Sequence, residues 1–240
     1  HVVEASRGQE GTGDAFSPGW FEVLMTNGKP AHFVVSSELE ISTTEAIEGC
    51  FEQSDGRMKQ LVRQAGISSE DHFGEQLVKA VSAFVVNRDD GKTVIAGYPW
   101  FLDWGRDSLI CARGLLACGY EKEGVQLLKV YGRFEESGTL PNSIHGEDTS
   151  NRETSDAPLW FGLVCADLVA KNGPGFLAME LQSDGQSVAA VNTGSEDSKT
   201  FGDVLRNIAL GYLGGTPNGI RVDPESCLVW SPSHFTWMDT

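Results

Sequence analysis

The run Tyr98-Pro99-Trp100-Phe101-Leu102-Asp103-Trp104-Gly105-Arg106-Asp107 gathers two indoles, a phenyl ring, a phenol, two carboxylates and a guanidinium into ten residues. Aromatic faces suit the C–H faces of a sugar ring. Carboxylates and an arginine fork suit its hydroxyls, because charged partners make the stronger hydrogen bonds. Residues 108–118 read as a helix, so Asp103 and Asp107 stand at or just before a helix start, where negative charge is electrostatically favoured. The same pattern also fits a plain helix cap on an aromatic-rich buried loop.

Outward from this stretch, helices alternate with loops of two kinds. Toward the C-terminus, a Gly119-Tyr120 break leads to a helix over 121–136, with Val125, Leu128, Val130 and Phe134 on its apolar face. A long loop over 137–155 leads to a helix over 156–171. Residues 172–197 are weakly patterned, with Gly173-Pro174-Gly175 marking a break. A helix over 198–213 is followed by a third long loop, 214–239. Toward the N-terminus, the loop 87–104 follows a helix that opens at Ser68-Ser69-Glu70-Asp71 and ends near Val86. Its positions Phe73, Leu77, Val81 and Phe84 predict a buried stripe. An earlier helix opens with a cap at Thr43-Thr44-Glu45-Ala46 and runs to about Gln64. In antiparallel helices every second connection lies at the same end. The three loops rich in acids and aromatics would then share one face. A mainly α toroid of alternating outer and inner helices, with its site at the mouth, matches that order.

Residues 1–40 differ from the rest. Residues 8–19 are glycine-rich and small, hence loop. The apolar runs Trp20-Phe21-Glu22-Val23-Leu24-Met25 and His32-Phe33-Val34-Val35 flank Asn27-Gly28, the signature of a β-hairpin. Residues 1–40 are therefore expected to be the end of a β-rich N-terminal domain or a linker, and 41–240 the helical domain.

The formal net charge of -16 opposes binding to nucleic acid, whose phosphates require a basic surface, and to anionic membranes. It is compatible with neutral ligands such as sugars. No apolar run approaches the ~20 residues of a membrane span, and the opening residues lack a secretory pattern. Cys50, Cys111, Cys118, Cys165 and Cys227 are odd in number and contain no CxxC. They predict free buried thiols in a reducing compartment. No Cys/His cluster has zinc spacing, so no metal or other cofactor is expected.

Chemistry is legible at the ends of the second and third loops. Asp156 and Trp160, in Thr154-Ser155-Asp156-Ala157-Pro158-Leu159-Trp160-Phe161, are four apart and share a helix face. A carboxyl beside an indole is partly desolvated. Desolvation disfavours the charged form, as a general acid requires. The alternative is that Asp156 caps the helix, with Pro158 in its first turn. The third loop ends in Phe235-Thr236-Trp237-Met238-Asp239, again aromatics followed by an acid, a pattern that buried packing of Trp237 fits equally well. His145 and His234 are isolated. No nucleophile–histidine–acid set, phosphate-binding glycine loop or HExxH is visible.

The run AGYPWFLDWGRDSLICARGLLACGYEKEGVQLL, followed in order by GTLPN, SDAPLWF and FTWMD, resembles the C-terminal amylo-α-1,6-glucosidase domain of glycogen debranching enzymes. RGQEGTGDAF and GWFEVL resemble the end of the β-rich domain that precedes the toroid in bacterial members. WGRD is similar to the substrate-gripping WxRD segment of glucoamylases, which share that toroid. The resemblance implies inverting hydrolysis of the α-1,6-linked glucose left at a trimmed glycogen branch, in the cytoplasm and without a metal. It places Trp104, Arg106 and Asp107 in the terminal-glucose pocket and makes Asp156 the general acid, with Trp160 on the same helix. Asp239 falls near the pocket mouth, and Trp100, Asp103 and Trp237 join the sugar-binding set. Residues 172–197 depart from the family's more regular link.

Inversion needs a second carboxylate as general base, with the pair ~6.5–9.5 Å apart. Asp103, Asp107 and Asp239 are candidates by type. The resemblance commits the first two to hydroxyls and puts the base beyond Thr240. Only the N-terminal part of a toroid is expected here, completed by further chain or by a second copy. The expected partner is glycogen or another branched α-glucan. The rival readings are a glucoamylase-like or trehalase-like enzyme on the same toroid, and a glycan-binding domain without catalysis.

Overall fold

The computed structural model describes residues 2–6, 11–14, 16–35, 43–97, 101–182 and 199–237. The chain divides into two compact units, His1–Gly49 and Cys50–Thr240. The first holds a short helix, α1 (Val2–Ser6), and a turn in which Thr26 O accepts the amide of Lys29 at 3.0 Å. The Phe21 and Phe33 rings meet across that turn at 5.0 Å. The turn forms, but no strand ladder joins its arms among the described residues, which corrects the expected hairpin. The physical reason is the lack of cover. Trp20, Phe21, Leu24 and Met25 are all strongly exposed, and a lone two-stranded ribbon is marginal in water.

Helix α2 (Thr44–Gln64) spans the division and opens as its sequence predicts, with the Thr43 hydroxyl accepting the amide of Ala46. Helix α3 (His72–Phe84) is capped by Asp71, whose carboxylate accepts the amide of Gly74 at 2.8 Å. The face that α3 turns inward runs through Gly74 and Val78, with Val81 and Phe84 at its margin. Phe73 is 75% exposed and Leu77 50%, so the buried stripe lies about one residue round the helix from the predicted one.

A hairpin occupies part of the predicted loop 87–104. Strands β1 (Val85–Arg88) and β2 (Gly91–Val94) pair antiparallel, Arg88 opposite Gly91. Asp89 turns between them at φ +48°, a conformation that Asp tolerates in tight hairpin turns. Beyond it, β3 (Asp103–Trp104) runs straight into helix α4 (Gly105–Ala117). Helix α5 (Glu121–Arg133), strand β4 (Ser143–Ile144) and helix α6 (Ala157–Asn172) follow. A 3-10 turn covers Pro174–Ala178, and residues 183–197 of the weakly patterned stretch lie outside the described residues. Helix α7 (Phe201–Gly214) begins with a capping box between Thr200 and Asp203. The hairpin β5 (Arg221–Val222) with β6 (Val229–Trp230) closes the order.

The unit is mainly helical. Helix α4 packs on α5 and α6, α7 packs on α5 and α6, and β2 lies along α5. Leu109, Ala112 and Leu115 of α4, Leu127, Leu128 and Tyr131 of α5, and Phe161, Val164, Cys165 and Leu168 of α6 recur at helical spacing and are fully enclosed. Each large one contributes roughly 1.5–3 kcal/mol by leaving water. Among the described residues, no helix is long and apolar enough to cross a membrane. All five cysteines are free, as expected, but only Cys165 is buried. Cys50 lies on an exposed side of α2 and Cys227 in a turn at φ +58°, which corrects the expectation of buried thiols.

Candidate active site

Hydrogen bonds join the three rich loops to one another. Strands β3 and β4 pair Asp103 with Ile144 and Trp104 with Ser143, tying the first loop to the second. The amide of Gly105 extends that ladder to Asn142 O at 2.7 Å. A Cβ on Gly105 would stand 2.6 Å from Pro141 O and 3.3 Å from the Ala157 Cβ. Only glycine lets the start of α4 lie this close to the second loop and to the start of α6. The second and third loops meet at Ser155, whose amide and hydroxyl both donate to Phe235 O, at 2.8 and 3.0 Å. Tyr212 of α7 donates to Ser155 O at 2.7 Å, and Asn218 to Arg152 O at 2.7 Å.

At this junction Arg106 Nε donates to Asp156 Oδ2 at 2.5 Å. Both side chains are partly open to solvent, 20% for Arg106 and 26% for Asp156. Asp156 stands at the N-cap of α6, yet its carboxylate caps nothing. Pro158, in the first turn, has no amide to offer, and the amide of Ala157 donates to the Thr154 hydroxyl at 3.3 Å. Thr154 Oγ1 donates in turn to Asp156 Oδ1 at 3.0 Å. The capping reading of Asp156 is therefore replaced by a carboxylate aimed away from its helix. The Arg106 guanidinium faces one of its oxygens and the Thr154 hydroxyl the other. Trp160, one turn on, donates its amide to Asp156 O and rests half-buried against the core.

Arg106 and Asp107 line one end of an open groove of about 440 Å³, whose other walls include Leu77, Val81, Phe84 and Ile110. Asp107 is exposed and Trp104 half-buried. Asp103 is enclosed. It is 3% exposed, and both its oxygens accept from Arg88, Nε at 2.6 Å and Nη2 at 2.9 Å. Arg88 Nη1 also donates to Gly146 O at 2.8 Å. Asp103 thus holds β1 against the second loop. Trp237 is 72% exposed at the end of the third loop. Trp100 and Asp239 lie outside the described residues.

The surrounding phenols are held neutral. Burial pushes the hydroxyl of Tyr131 far above its usual range, and the Asp103 carboxylate adds to the shift. Burial and the Asp156 carboxylate do the same for Tyr212. Both phenols are therefore dependable donors: Tyr131 to Ser108 Oγ at 3.2 Å, and Tyr212 to Ser155 O. Among the described residues no three His, Cys, Asp or Glu side chains are placed to hold a metal ion.

The sequence model of the amylo-alpha-1,6-glucosidase family matches residues 78–240. This chain belongs to the amylo-alpha-1,6-glucosidase family. The match begins within α3 and spans Asp103, Trp104, Arg106, Asp107, Asp156, Trp160 and Trp237. No curated protein matches the chain. Within this amylo-alpha-1,6-glucosidase domain, sequence reasoning overlooked Arg88 and Thr154. For Arg88 the available signal was Asp89-Asp90-Gly91 between two β-branched runs, which marks a hairpin carrying an arginine toward Asp103. For Thr154 it was Pro158, which removes one amide that a capping Asp156 would have used.

Proposed function

We propose that this chain carries the acid side of an inverting α-1,6-glucosidase that removes glucose stubs from glycogen branches. The reading is supported by one observation above all. Asp156 occupies a helix start without capping it, and its carboxylate meets Arg106 where the three rich loops join. Family membership adds the reaction class. We assign the helices to part of an (α/α)6 toroid with this junction at its mouth.

In this reading Arg106 and Asp107 hold hydroxyls of the terminal glucose, aided by Trp104 and Trp160. When Arg106 turns its donors to the sugar, Asp156 Oδ2 is left free to face the glycosidic oxygen. Asp156 then passes its proton to the glycosidic oxygen as the bond from that oxygen to C1 breaks. Water attacks C1 from the opposite face and gives its proton to a second carboxylate, inverting the anomeric centre. Asp103 is unsuited to be that base, because Arg88 occupies both of its oxygens. A carboxylate elsewhere, with room for a water, fills the role.

The test is an Asp156→Asn change in the natural polypeptide, assayed for glucose release from a branched limit dextrin and for the anomer first formed. The expected loss is ~100-fold or more, the range for a lost general acid. A substrate with a very good leaving group should suffer far less. Equal losses on good and poor leaving groups would remove Asp156 from the acid role. Release from α-1,4-linked ends at the higher rate would favour the glucoamylase-like reading.

A further inference from the structure

We infer that Thr154 is a positioning residue that decides which oxygen of Asp156 delivers the proton. This rests on the acid role proposed for Asp156. An aspartate at an N-cap ordinarily turns back to accept amides of its own first turn. Here Pro158 has no amide to offer and the Asp156 carboxylate makes no cap bond, while the Ala157 amide, donating to the Thr154 hydroxyl at 3.3 Å, fixes that hydroxyl beside the carboxylate. A hydroxyl has one proton to give, and Thr154 gives it to Asp156 Oδ1 at 3.0 Å.

That bond also separates the two oxygens of Asp156. Oδ1 is held by Thr154, which is wholly enclosed. Oδ2 faces Arg106, which lines the groove. Once Arg106 turns to a sugar, Oδ2 is the oxygen without a donor and the one that takes up the proton. The proton then resides on the groove side of the carboxyl. The backbone on which this depends is fixed from two directions, since the Ser155 amide is bound to Phe235 O and its carbonyl to the Tyr212 hydroxyl.

The experiment compares Thr154→Val, Thr154→Ser and Asp156→Asn in the natural polypeptide, with glucose release from a limit dextrin and from α-glucosyl fluoride as readouts. Thr154→Val keeps the shape and removes the hydroxyl. The expected result is a loss of about ten- to a hundred-fold on the dextrin, the scale for a misplaced catalytic group. The loss on the fluoride, which needs little protonation to depart, should be within about three-fold, since the acid contributes little there. Thr154→Ser, which keeps the hydroxyl, should stay within a few-fold of the parent on both. Adding Thr154→Val to Asp156→Asn should cost nothing further on the dextrin, because the two act through one proton. Equal losses on both substrates, or a Thr154→Ser enzyme as impaired as Thr154→Val, would overturn the inference. If Thr154→Val fails to fold, Thr154→Ser decides alone: retained activity supports it and lost activity in a folded protein refutes it. A silent Asp156→Asn would sink the acid role itself. A damaging Asp156→Asn beside a silent Thr154→Val would sink only the inference about Thr154.

Discussion

Arg106 Nε and Asp156 Oδ2 stand 2.5 Å apart, bridging the first turn of α4 and the first residue before α6 across fifty positions of chain. Two helix starts, each a place where a carboxylate is expected to serve its own helix, are thereby turned toward one another. The pair is partly exposed, so its contribution to stability is modest. Its weight falls on the positions of the two charges.

Arg106→Ala should therefore separate binding from folding. The melting temperature is expected to move by only a few degrees, on the scale of a surface ion pair. Transition-state binding should lose roughly 2–5 kcal/mol, the cost of removing a charged donor from a sugar contact. Steady-state kinetics on a limit dextrin alongside a thermal melt measures both. An unchanged kcat/KM would mean that Arg106 serves Asp156 and not the sugar.

Asp103→Asn tests the opposite assignment. Leaving Arg88 half-buried without its carboxylate should cost about 3–5 kcal/mol of stability, since removing one member of an enclosed pair strands the other. KM should hardly change in the enzyme that remains folded. Joint replacement, Arg88→Met with Asp103→Leu, should recover much of the stability. A raised KM with an unaltered denaturation midpoint would return Asp103 to the sugar-binding set.

Much of this arrangement was readable in the residues, and what was not has identifiable causes. The helices α4 to α7 follow apolar spacing because their stripes face a common core, and Leu109, Phe161 and Val204 all lie where that spacing requires. Helix α3 misled because Phe73 and Leu77 are apolar yet exposed, and periodicity alone cannot say which of two adjacent stripes turns inward. Asp103 and Asp107 looked alike in sequence. Their fates diverge because Arg88, from a hairpin fifteen residues upstream of Asp103, reaches one and not the other. The aim of Asp156 follows from the Thr154 hydroxyl and the Arg106 guanidinium taking one oxygen each, a placement that residue type leaves open.

Gly105→Ala should weaken fold and activity together. Its Cβ would meet Pro141 O at 2.6 Å, a backbone atom that cannot swing aside. Relief requires the start of α4 to retreat from the second loop, carrying Arg106 away from Asp156. The expected cost is about 1–3 kcal/mol, as for an overpacked interior. Denaturant titration should show a lower midpoint, and kcat should fall even where the protein remains folded. By contrast Gly114→Ala, with nothing near its Cβ, should leave both unchanged or slightly improve stability.

Alkali should unfold the protein through groups that are kept protonated inside it. Burial pushes the Cys165 thiol up to about 12 from an ordinary 9.0, and raises the phenols of Tyr131 and Tyr212 as well. Below pH 9 the thiol keeps its proton in both folded and unfolded chains, so its contribution to stability is fully present. Above that, the unfolded chain releases a proton that the folded one retains. Stability falls by up to about 1.4 kcal/mol per pH unit for this group until pH reaches about 12. Urea titrations between pH 8 and 11 should show a falling midpoint, with a shallower slope in a Cys165→Ala protein.

The carboxylate of Glu135, 1% exposed, just past α5, is met by Lys199, by Asn207 Nδ2 at 3.0 Å and by the amide of Gly138 at 2.8 Å. A charge so enclosed is tolerable only when its partners have already arrived, and two of them come with α7. The end of α5 and the start of α7 are consequently a cooperative unit: they open and close together. Native-state hydrogen exchange would register them as a single step, with the amides of both protected to the same free energy although more than sixty residues separate them in the chain.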